Sequence, residues 1–532
     1  MSSVVRQKVG KHTYLYESVG FRNEEGKPRN KRWPIGKIDP VSGLAIYKPE
    51  YLARMAAEGR PLKIPQAPTT PTLTVQDVSG SSVRDYGAFY LFEQLARQLG
   101  LLEVLRQALP RHWKNIFNLA AYLTSTGDPL AYYVDWLAST QAYPVGAMTA
   151  KRVDEMLDSI TQAEREKFYE LWNSSLGEQE YLALDIPAPS SWLEPSDTAA
   201  HGYQPGQDDI PPFSFCLLMG KQSGYPVCQS AHETGFRDVT ALIATINAFL
   251  PLTKDRPVTA VMDREFFSAK NVNAMLAQQP GADFLAAVPI TGKFAVNLVK
   301  NESRDIDALH SNIVHNGEKL HSVTRQLKWS RDQKIYAHVY YNATKAHKAR
   351  EELDANVSTL YSHAQKQPEK FASNPDYTKY LIIQRPDRES RRYTVNIRED
   401  VLRTEMETVG WQIIISNCMA DAKEAFEIYR DKDAVEKAFL PLKNSLDLGR
   451  HQGQNGNSMQ SRLLIGFVSL ILIRGIHKVM SEKNLYARMT MKKLMLSLSK
   501  LKLLAVNKKP VLLSVTKEQR DIYRAFGIKE PS

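Results

Sequence analysis

The sequence predicts an α/β protein built from several units. Three observations lead to this prediction. After Tyr181, short β-rich runs alternate with amphipathic helical segments, and some of these runs end in an acidic residue. From Tyr86 to Thr126 the apolar residues recur with a helical period, whereas the first part of the chain alternates short apolar-aromatic stretches with turns. At about 150 residues per domain, a length of 532 residues corresponds to three or four domains.

The chain is basic, with a formal net charge of +11. Such a charge favours an anionic partner, most commonly nucleic acid, although a mildly basic enzyme without a polyanionic partner fits it equally well. Apolar residues make up 43% of the chain, which is normal for a protein that folds around buried cores.

The three cysteines, Cys216, Cys228 and Cys418, form no CxxC pair. This argues against a zinc ribbon and a disulfide framework, and it predicts a reducing, cytoplasmic location. The first residues lack the apolar stretch of a signal peptide. The most apolar run, residues 463–473, is too short to cross a bilayer as a helix, so we expect a buried core helix and no membrane partner.

The local patterns predict the following elements. "HTYLYESVGF" and "KRWPIGKID" are typical of strands in a small basic sheet, and the proline-rich residues 61–71 of a linker. "KIYAHVYYN", "RRYTVNI" and "GWQIIISN" predict strands, and "TKAHKAREELDANVSTLYSHA" a charged helix. The basic tail "MKKLMLSLSKLKLLAVNKKP" fits either contact with DNA phosphates or an amphipathic helix packed on the core.

Two aspartates stand where predicted buried strands end: Asp185 after "YLAL" and Asp263 after "PVTAVM". Side chains at the ends of adjacent strands converge on one sheet edge, where open sheets bind ligands. Taken singly, an aspartate in this position is more commonly a turn residue or a helix cap. Asp208 and Asp209, in a Gly/Pro loop, compete with Asp185 and are assigned a turn role.

A third acid, Glu436, lies in the helical stretch "FEIYRDKDAVEKAFLPLKNSL". Tyr429, Lys432 and Lys443 lie at −7, −4 and +7 from it, which places all four residues on one helix face. Three carboxylates at one site repel each other unless cations bind them, and oxygen ligands without His or Cys suit Mg²⁺ or Mn²⁺. Two such ions support phosphoryl transfer. The competing interpretation is a solvated helix with ordinary i,i+4 ion pairs.

These residues resemble a known family. Tyr-x2-Arg-x3-Glu-x6-Lys is the signature of the DDE transposases of the insertion-sequence-four group, which are bacterial cut-and-paste enzymes. Here it corresponds to Tyr429, Lys432, Glu436 and Lys443, with Lys in place of the Arg. "LALD" resembles the first-aspartate block of this family, "AVMDREFFSAKN" the second, and "GYPVCQSAHETGFRDVTAL" the block between them.

The resemblance implies a ribonuclease-H-like mixed-sheet core. It also implies five domains: a basic β-rich N-terminal module (1–70), a helical DNA-binding domain (75–180), the catalytic core (181–291 and 411–480), a β-rich insertion (292–410) and a basic helical tail (481–532).

The resemblance further implies a catalytic site of Asp185, Asp263 and Glu436 that binds two Mg²⁺ or Mn²⁺ ions, with Tyr429, Lys432 and Lys443 contacting DNA. The family acts as a dimer on the terminal inverted repeats of its element and inserts the element into target DNA. Some members form a DNA hairpin and hold a flipped base on an aromatic residue. Trp192 and Trp411 are the nearby aromatic residues, and buried packing is the alternative for each.

The sequence departs from the family pattern at three points, one of which is the proline-rich stretch "DIPAPSSW" that begins at Asp185. Lys432 lacks the planar fork that Arg offers to phosphate, and Pro441, between Glu436 and Lys443, is expected to kink or end the helix. These departures leave two alternatives to a transposase: a transposase-derived DNA-binding protein without strand transfer, and a metal-dependent nuclease that needs no specific ends.

Overall fold

The computed structural model divides the chain into two compact units, Met1–Ser82 with Leu504–Val511, and Val83–Leu503 with Leu512–Ser532. The structure describes residues 2–10, 12–39, 43–66, 82–186, 214–232, 239–254, 256–277, 282–303, 312–315, 317–385, 392–446, 456–506 and 509–531.

The first unit contains the small basic sheet that the sequence predicts. It is a four-stranded antiparallel sheet in the order β1-β2-β3-β4, followed by one helix. The bounds are β1 Ser2–Val9, β2 His12–Arg22, β3 Pro28–Ile38, β4 Ala45–Tyr47 and α1 Pro49–Ala57. Leu15, Ile35 and Met55 pack together between the sheet and α1. The buried carboxylate of Glu17 forms an ion pair with Arg54 of α1, which anchors the helix to the sheet.

The second unit begins within strand β5 (Ser82–Asp85) and continues with the helical segment that the apolar period predicts. Its helices are α2 Gly87–Gln98, α3 Leu101–Ala108, α4 Trp113–Thr126, α5 Tyr133–Ser139, α6 Ala150–Ser159 and α7 Gln162–Leu176, with a 3-10 turn at Leu130–Tyr132. Gly100, with φ +72°, separates α2 from α3, a backbone conformation that favours glycine. Thr161 begins α7 with a capping box completed by Glu164.

A nine-stranded mixed sheet forms the centre of this unit, in the order β11-β12-β13-β16-β10-β9-β6-β7-β8. Its strands are β6 Tyr181–Ile186, β7 Ser214–Gly220, β8 Pro226–His232, β9 Val258–Met262, β10 Asp283–Val288, β11 Ile313–His315, β12 Glu318–Lys328, β13 Lys334–Tyr341 and β16 Trp411–Ser416. The pairs β6–β9 and β9–β10 are parallel, and the other pairs are antiparallel. The predicted mixed α/β class is confirmed.

The remaining elements of the second unit are mostly helical. They are α8 Val239–Thr253, α9 Ala269–Leu276, α10 Lys293–Glu302, α11 Ala343–Lys366, α12 Pro368–Phe371, α13 Pro375–Tyr380, β14 Leu381–Gln384, β15 Thr394–Ile397, α14 Glu399–Thr408, α15 Ala422–Ser445, α16 Gly456–Glu482, a 3-10 turn at Leu485–Ala487, α17 Met491–Leu498 and α18 Lys517–Ala525. Two further short strands, β17 Lys502–Val506 and β18 Lys509–Leu512, lie where the chain passes between the units.

The central sheet is buried on both faces. Along β6, Leu182 and Leu184 join one hydrophobic cluster, and Tyr181 and Ala183 join the other. Successive side chains of a strand point to opposite faces, so a strand covered on both sides is apolar throughout. Helices α8, α9 and α10 cover the second face, whereas α2–α4, α7, α15 and α16 cover the first.

This arrangement corrects the predicted helical domain of residues 75–180. The buried residues of α2–α4 and α7 belong to the same hydrophobic cluster as Leu182 and Leu184 of the sheet. The segment therefore has no separate core, because its amphipathic helices bury their apolar faces on the sheet and on α16.

Helix α16 is the apolar core helix that the sequence predicts, and it is longer than its most apolar run. Within the described residues, one helix, Asn457–Glu482, is long and apolar enough to cross a membrane by length and composition, but 72% of its most apolar window is buried inside the protein. Leu464, Phe467 and Ile471 are fully buried.

The structure also differs from two other domain predictions. In residues 292–410, predicted as a β-rich insertion, β12 and β13 extend the central sheet, and α11 with its neighbours makes most of the rest helical. The sequence predicts the charged helix in this range. With 24 residues it is much longer than the β14–β15 hairpin, so the range is mainly helical. In the tail, 481–532, strands β17 and β18 accompany the helices, and Leu494 and Leu498 of α17 are buried in the core.

Two leucines of the second unit provide a matched stability test. Leu464 is fully buried and Leu496 is 57% exposed. Replacing Leu464 with Ala should lower the free energy of unfolding by about 2–5 kcal/mol, because it removes buried contacts and leaves a cavity. The same change at Leu496 should stay within about 0.5 kcal/mol. Urea unfolding followed by tryptophan fluorescence measures both, and equal losses would contradict the assigned core.

Candidate active site

The first two predicted acids lie at the same end of two adjacent parallel strands. In the β6–β9 pair, Leu184 is opposite Val261. Asp185 is the next residue of β6, and Asp263 is the second residue after Val261. Parallel strands lie about 4.8 Å apart, so the backbones of the two aspartates share one sheet edge. The side chain of Asp185 lies outside the described part of the structure.

Asp263 is held from two sides. Its Oδ1 accepts a hydrogen bond of 2.7 Å from the backbone N–H of Arg264, at the start of a 3-10 turn, Arg264–Phe266. The same oxygen accepts a bond of 3.0 Å from the hydroxyl of Tyr429, on α15. Asp263 is therefore a turn cap, as a lone aspartate after a strand commonly is, and it also joins the sheet edge to α15.

Helix α15 presents Tyr429, Lys432 and Glu436 to the protein interior on one face. Tyr429 is 6% exposed, Lys432 is 1% exposed, and the Glu436 side chain is 13% exposed. The Lys432 ammonium forms an ion pair with Glu436 Oε1 and lies 5.8 Å from the centre of the Tyr429 ring. The solvated-helix interpretation is thus wrong for this face, although the i,i+4 ion pair that it proposed is present.

Burial raises the pKa of Glu436 above its ordinary value, and the charges of Asp263 and Asp433 raise it further, against the opposing effect of Lys432. Burial likewise raises the pKa of Tyr429, followed by the effect of the Asp263 carboxylate. These effects show that Asp263 and Glu436, which are distant in the sequence, are close enough to interact electrostatically.

Asp433 and Arg430 belong to this site as well, and the motif in the sequence does not include them. The charge of Asp433 raises the pKa values of both Glu436 and Tyr429, and its carboxylate lies 3.4 Å from the guanidinium of Arg430. Asp433 precedes Glu436 by three positions, which is a same-face spacing on a helix. That spacing was the available signal.

Two predicted DNA contacts have a different environment from the one expected. Lys432 and Tyr429 are buried and face the carboxylates, so they are not available to phosphates in this structure. Helix α15 does not end at Pro441 but continues to Ser445. Lys443 therefore lies in the same helix as Glu436, and its side chain is outside the described part of the chain.

Of the aromatic residues considered for a flipped base, Trp411 begins β16, is 8% exposed and lies 4.8 Å from the ring centre of Tyr341. These contacts favour its packing alternative. Trp192, Asp208 and Asp209 lie outside the described residues.

The described carboxylates fit a divalent cation by chemistry but do not by themselves make a complete site. Asp263 and Glu436 offer hard oxygen donors, and their mutual repulsion is what a bound cation relieves. Among the described side chains, no group of three or more His, Cys, Asp and Glu residues could hold a metal ion. The Asp185 side chain, which lies outside the described part of the structure, is the donor that the sequence assigns to the same edge.

Comparison with known proteins gives a likeness in structure and none in sequence. No protein-family model matches the chain, and no curated protein matches it. Among solved structures, the chain is similar to the piggyBac transposase in its synaptic complex with hairpin DNA, at a TM-score of 0.27 and 8% identity, over 90% of this chain and 81% of that chain.

A double-mutant cycle tests the buried ion pair. Lys432→Met or Glu436→Gln alone should lower the free energy of unfolding by about 3–5 kcal/mol, because each leaves the partner charge buried without compensation. The double variant should lose less than the sum of the two, by about 1–3 kcal/mol. Urea unfolding of the three variants measures the coupling, and additive losses would show that the two side chains do not interact.

Proposed function

We propose that the protein is a metal-dependent DDE transposase that cuts and joins DNA strands at the terminal inverted repeats of a bacterial insertion sequence. The observation that carries the proposal is the meeting of Asp263 with α15. A carboxylate at a sheet edge contacts Tyr429 and interacts electrostatically with Glu436, two residues of the Tyr-Lys-Glu-Lys motif.

The sheet supports the same proposal. Three antiparallel strands, β8, β7 and β6, are followed by two strands parallel to β6, namely β9 and β10. This is a mixed sheet whose neighbouring strands bring two acids to one edge, as a ribonuclease-H-like core requires. The helices on both faces agree with such a core.

In this proposal Asp185, Asp263 and Glu436 would hold two Mg²⁺ ions, or Mn²⁺. The ions supply charge stabilisation for the attacking and leaving oxygens of a phosphodiester. Water attacks the phosphorus and breaks its bond to the 3′ oxygen, which leaves as a 3′-hydroxyl. That hydroxyl then attacks a phosphodiester of the target DNA and displaces the 3′-hydroxyl of the target strand. Tyr429 orients Asp263 through its hydroxyl, and Lys432 orients Glu436 and offsets its charge, so both act as positioning residues. Lys443 contacts a DNA phosphate.

The partners follow from the same proposal. They are double-stranded transposon ends and target DNA, bound by a homodimer in the bacterial cytoplasm. The helical segment 75–180 and the N-terminal module 1–70 recognise the ends. The net charge of +11 supports a polyanionic partner.

Cleavage of labelled duplex DNA that carries the sequences flanking the coding region tests the function. Wild type should cut at the inverted repeats in Mg²⁺. Asp263→Asn should bind the same DNA and cut it at least about 100-fold more slowly, because it loses a charged ligand. Asp431→Asn is the matched control, since Asp431 is on α15 with a side chain 64% exposed, and it should cut as wild type does.

The other outcomes separate the alternatives. Tight binding of the ends without any cutting by wild type would favour a transposase-derived DNA-binding protein. Cutting with no preference for the ends would favour a nuclease. Equal cutting by wild type and Asp263→Asn would reject the proposed site.

Metal binding provides a test that needs no catalysis. Wild type should bind Mn²⁺, measured by titration calorimetry, and Asp263→Asn should bind it at least about tenfold more weakly. A carboxylate must lose its proton to bind a metal, and the pKa of Glu436 is raised. Mn²⁺ affinity should therefore fall as the pH is lowered towards that pKa, and fall at a higher pH than an ordinary glutamate would cause. Unchanged affinity in Asp263→Asn would contradict the assignment.

A further inference from the structure

The hairpin of β2 and β3 extends beyond the part of the first unit that α1 covers. Near α1, Leu15 and Ile35 are buried in the core of the unit. Towards the β2–β3 turn, burial falls, and β3 is exposed from Pro28 to Pro34. One end of the sheet is therefore core and the other end is a free surface.

The strand register defines which residues share the core face at this free end. Directly opposed residues of an antiparallel pair project from the same face. On this face Trp33 is opposite Glu17, Lys31 is opposite Val19 and Arg29 is opposite Phe21. Phe21, Arg29, Lys31 and Trp33 therefore share the core face but lie outside the core. The opposite face carries Arg32, opposite Ser18, and Lys37, opposite Tyr14.

The free end of the core face exposes aromatic and cationic side chains together. Phe21 is 50% exposed and Trp33 is 42% exposed, whereas most aromatic residues of this size are buried. The Lys31 ammonium lies 5.5 Å from the centre of the Trp33 ring. We name this surface, made of Phe21, Arg29, Lys31 and Trp33, the hairpin face.

The charge of the hairpin face is not balanced by a neighbour. Within the described part of the chain, neither Arg29 nor Lys31 forms an ion pair with a carboxylate. The acid of the same face, Glu17, is 5% exposed and its carboxylate is engaged by Arg54. The hairpin face is thus positively charged and complementary to a polyanion.

We propose that the hairpin face binds single-stranded DNA. Trp33 is opposite Glu17, which precedes Phe21 by four residues on β2, so the two aromatic positions are about 13 Å apart along the strands. Unpaired bases stack on such exposed rings. Lys31 lies between the rings and Arg29 is opposite Phe21, so both cations can meet the phosphates that join the bases. The paired bases of a duplex are stacked on each other, so exposed rings suit a single strand better. This binding does not depend on the carboxylate site.

Binding of a fluorescently labelled oligothymidine to the full-length chain, measured at several salt concentrations, tests the proposal. Trp33→Ala should weaken binding by about 5- to 150-fold, which corresponds to the loss of one stacked base. The Arg29→Ala/Lys31→Ala variant should weaken binding and reduce the slope of log affinity against log salt by about 1.4, at about 0.7 for each lost phosphate contact.

The control is Arg32→Ala/Lys37→Ala, which removes the same charge from the opposite face of the same strand. It should leave both the affinity and the salt slope of oligothymidine binding at wild-type values. Equal losses in the two double variants would overturn the proposal, since they would show a general charge effect. No effect of Trp33→Ala on oligothymidine binding would also overturn it.

The result can be separated from the proposed cleavage. Asp263→Asn should bind oligothymidine as wild type does. If that variant loses cleavage and keeps this binding, both proposals stand. If Trp33→Ala has no effect while Asp263→Asn still abolishes cleavage, the hairpin-face proposal alone fails.

Discussion

The candidate site depends on one strand pairing, the parallel register of β6 and β9. Leu184 opposite Val261 brings Asp185 and Asp263 to the same sheet edge. Side chains alternate along a strand, so a slip of one residue would exchange the two faces of β6 and move its leucines out of their cluster. The apolar packing on both faces therefore determines the position of the acids, and the chemistry of the edge follows from the core.

The edge itself is an energetically unfavourable arrangement that the fold tolerates. Glu436 and Lys432 are both removed from water, and burying two charges costs free energy that their attraction offsets only with close contact. Asp263 adds a second negative charge close to Glu436. Groups whose pKa is shifted by burial and by a neighbouring charge are more common at functional sites than in purely structural ones. This unfavourable cluster distinguishes the edge from an ordinary ion pair on a helix surface.

Periodicity in the sequence predicted much of the fold, since it reflects burial directly. The charged helix α11, the strands β13, β15 and β16, and the core helix α16 all follow from local patterns. Two features of the fold did not follow from local patterns. The pairing of β12 and β13 with the central sheet depends on contacts far apart in the chain, which local patterns do not encode. The shared core of α2–α4 with the sheet has the same cause.

At the site, helical spacing predicted that Tyr429, Lys432 and Glu436 share a face, but not that this face points inward. Spacing defines neighbours on a helix, whereas burial depends on what packs against it. For the same reason Lys432, expected at a phosphate, instead meets Glu436. The aspartate at the end of β9 was predicted by position, and its contact with Tyr429 required the tertiary structure.

The continuation of α15 through Pro441 has a mechanical consequence. Proline has no N–H, so it cannot bond the carbonyl of Lys437, and that turn of the helix is held by one fewer hydrogen bond than its neighbours. The part of α15 before this joint is held at the sheet edge by the hydrogen bond from Tyr429 to Asp263. The chain after the joint is held separately, because Leu442 and Leu446 are buried in the large hydrophobic cluster, so the weakened turn connects two anchored segments.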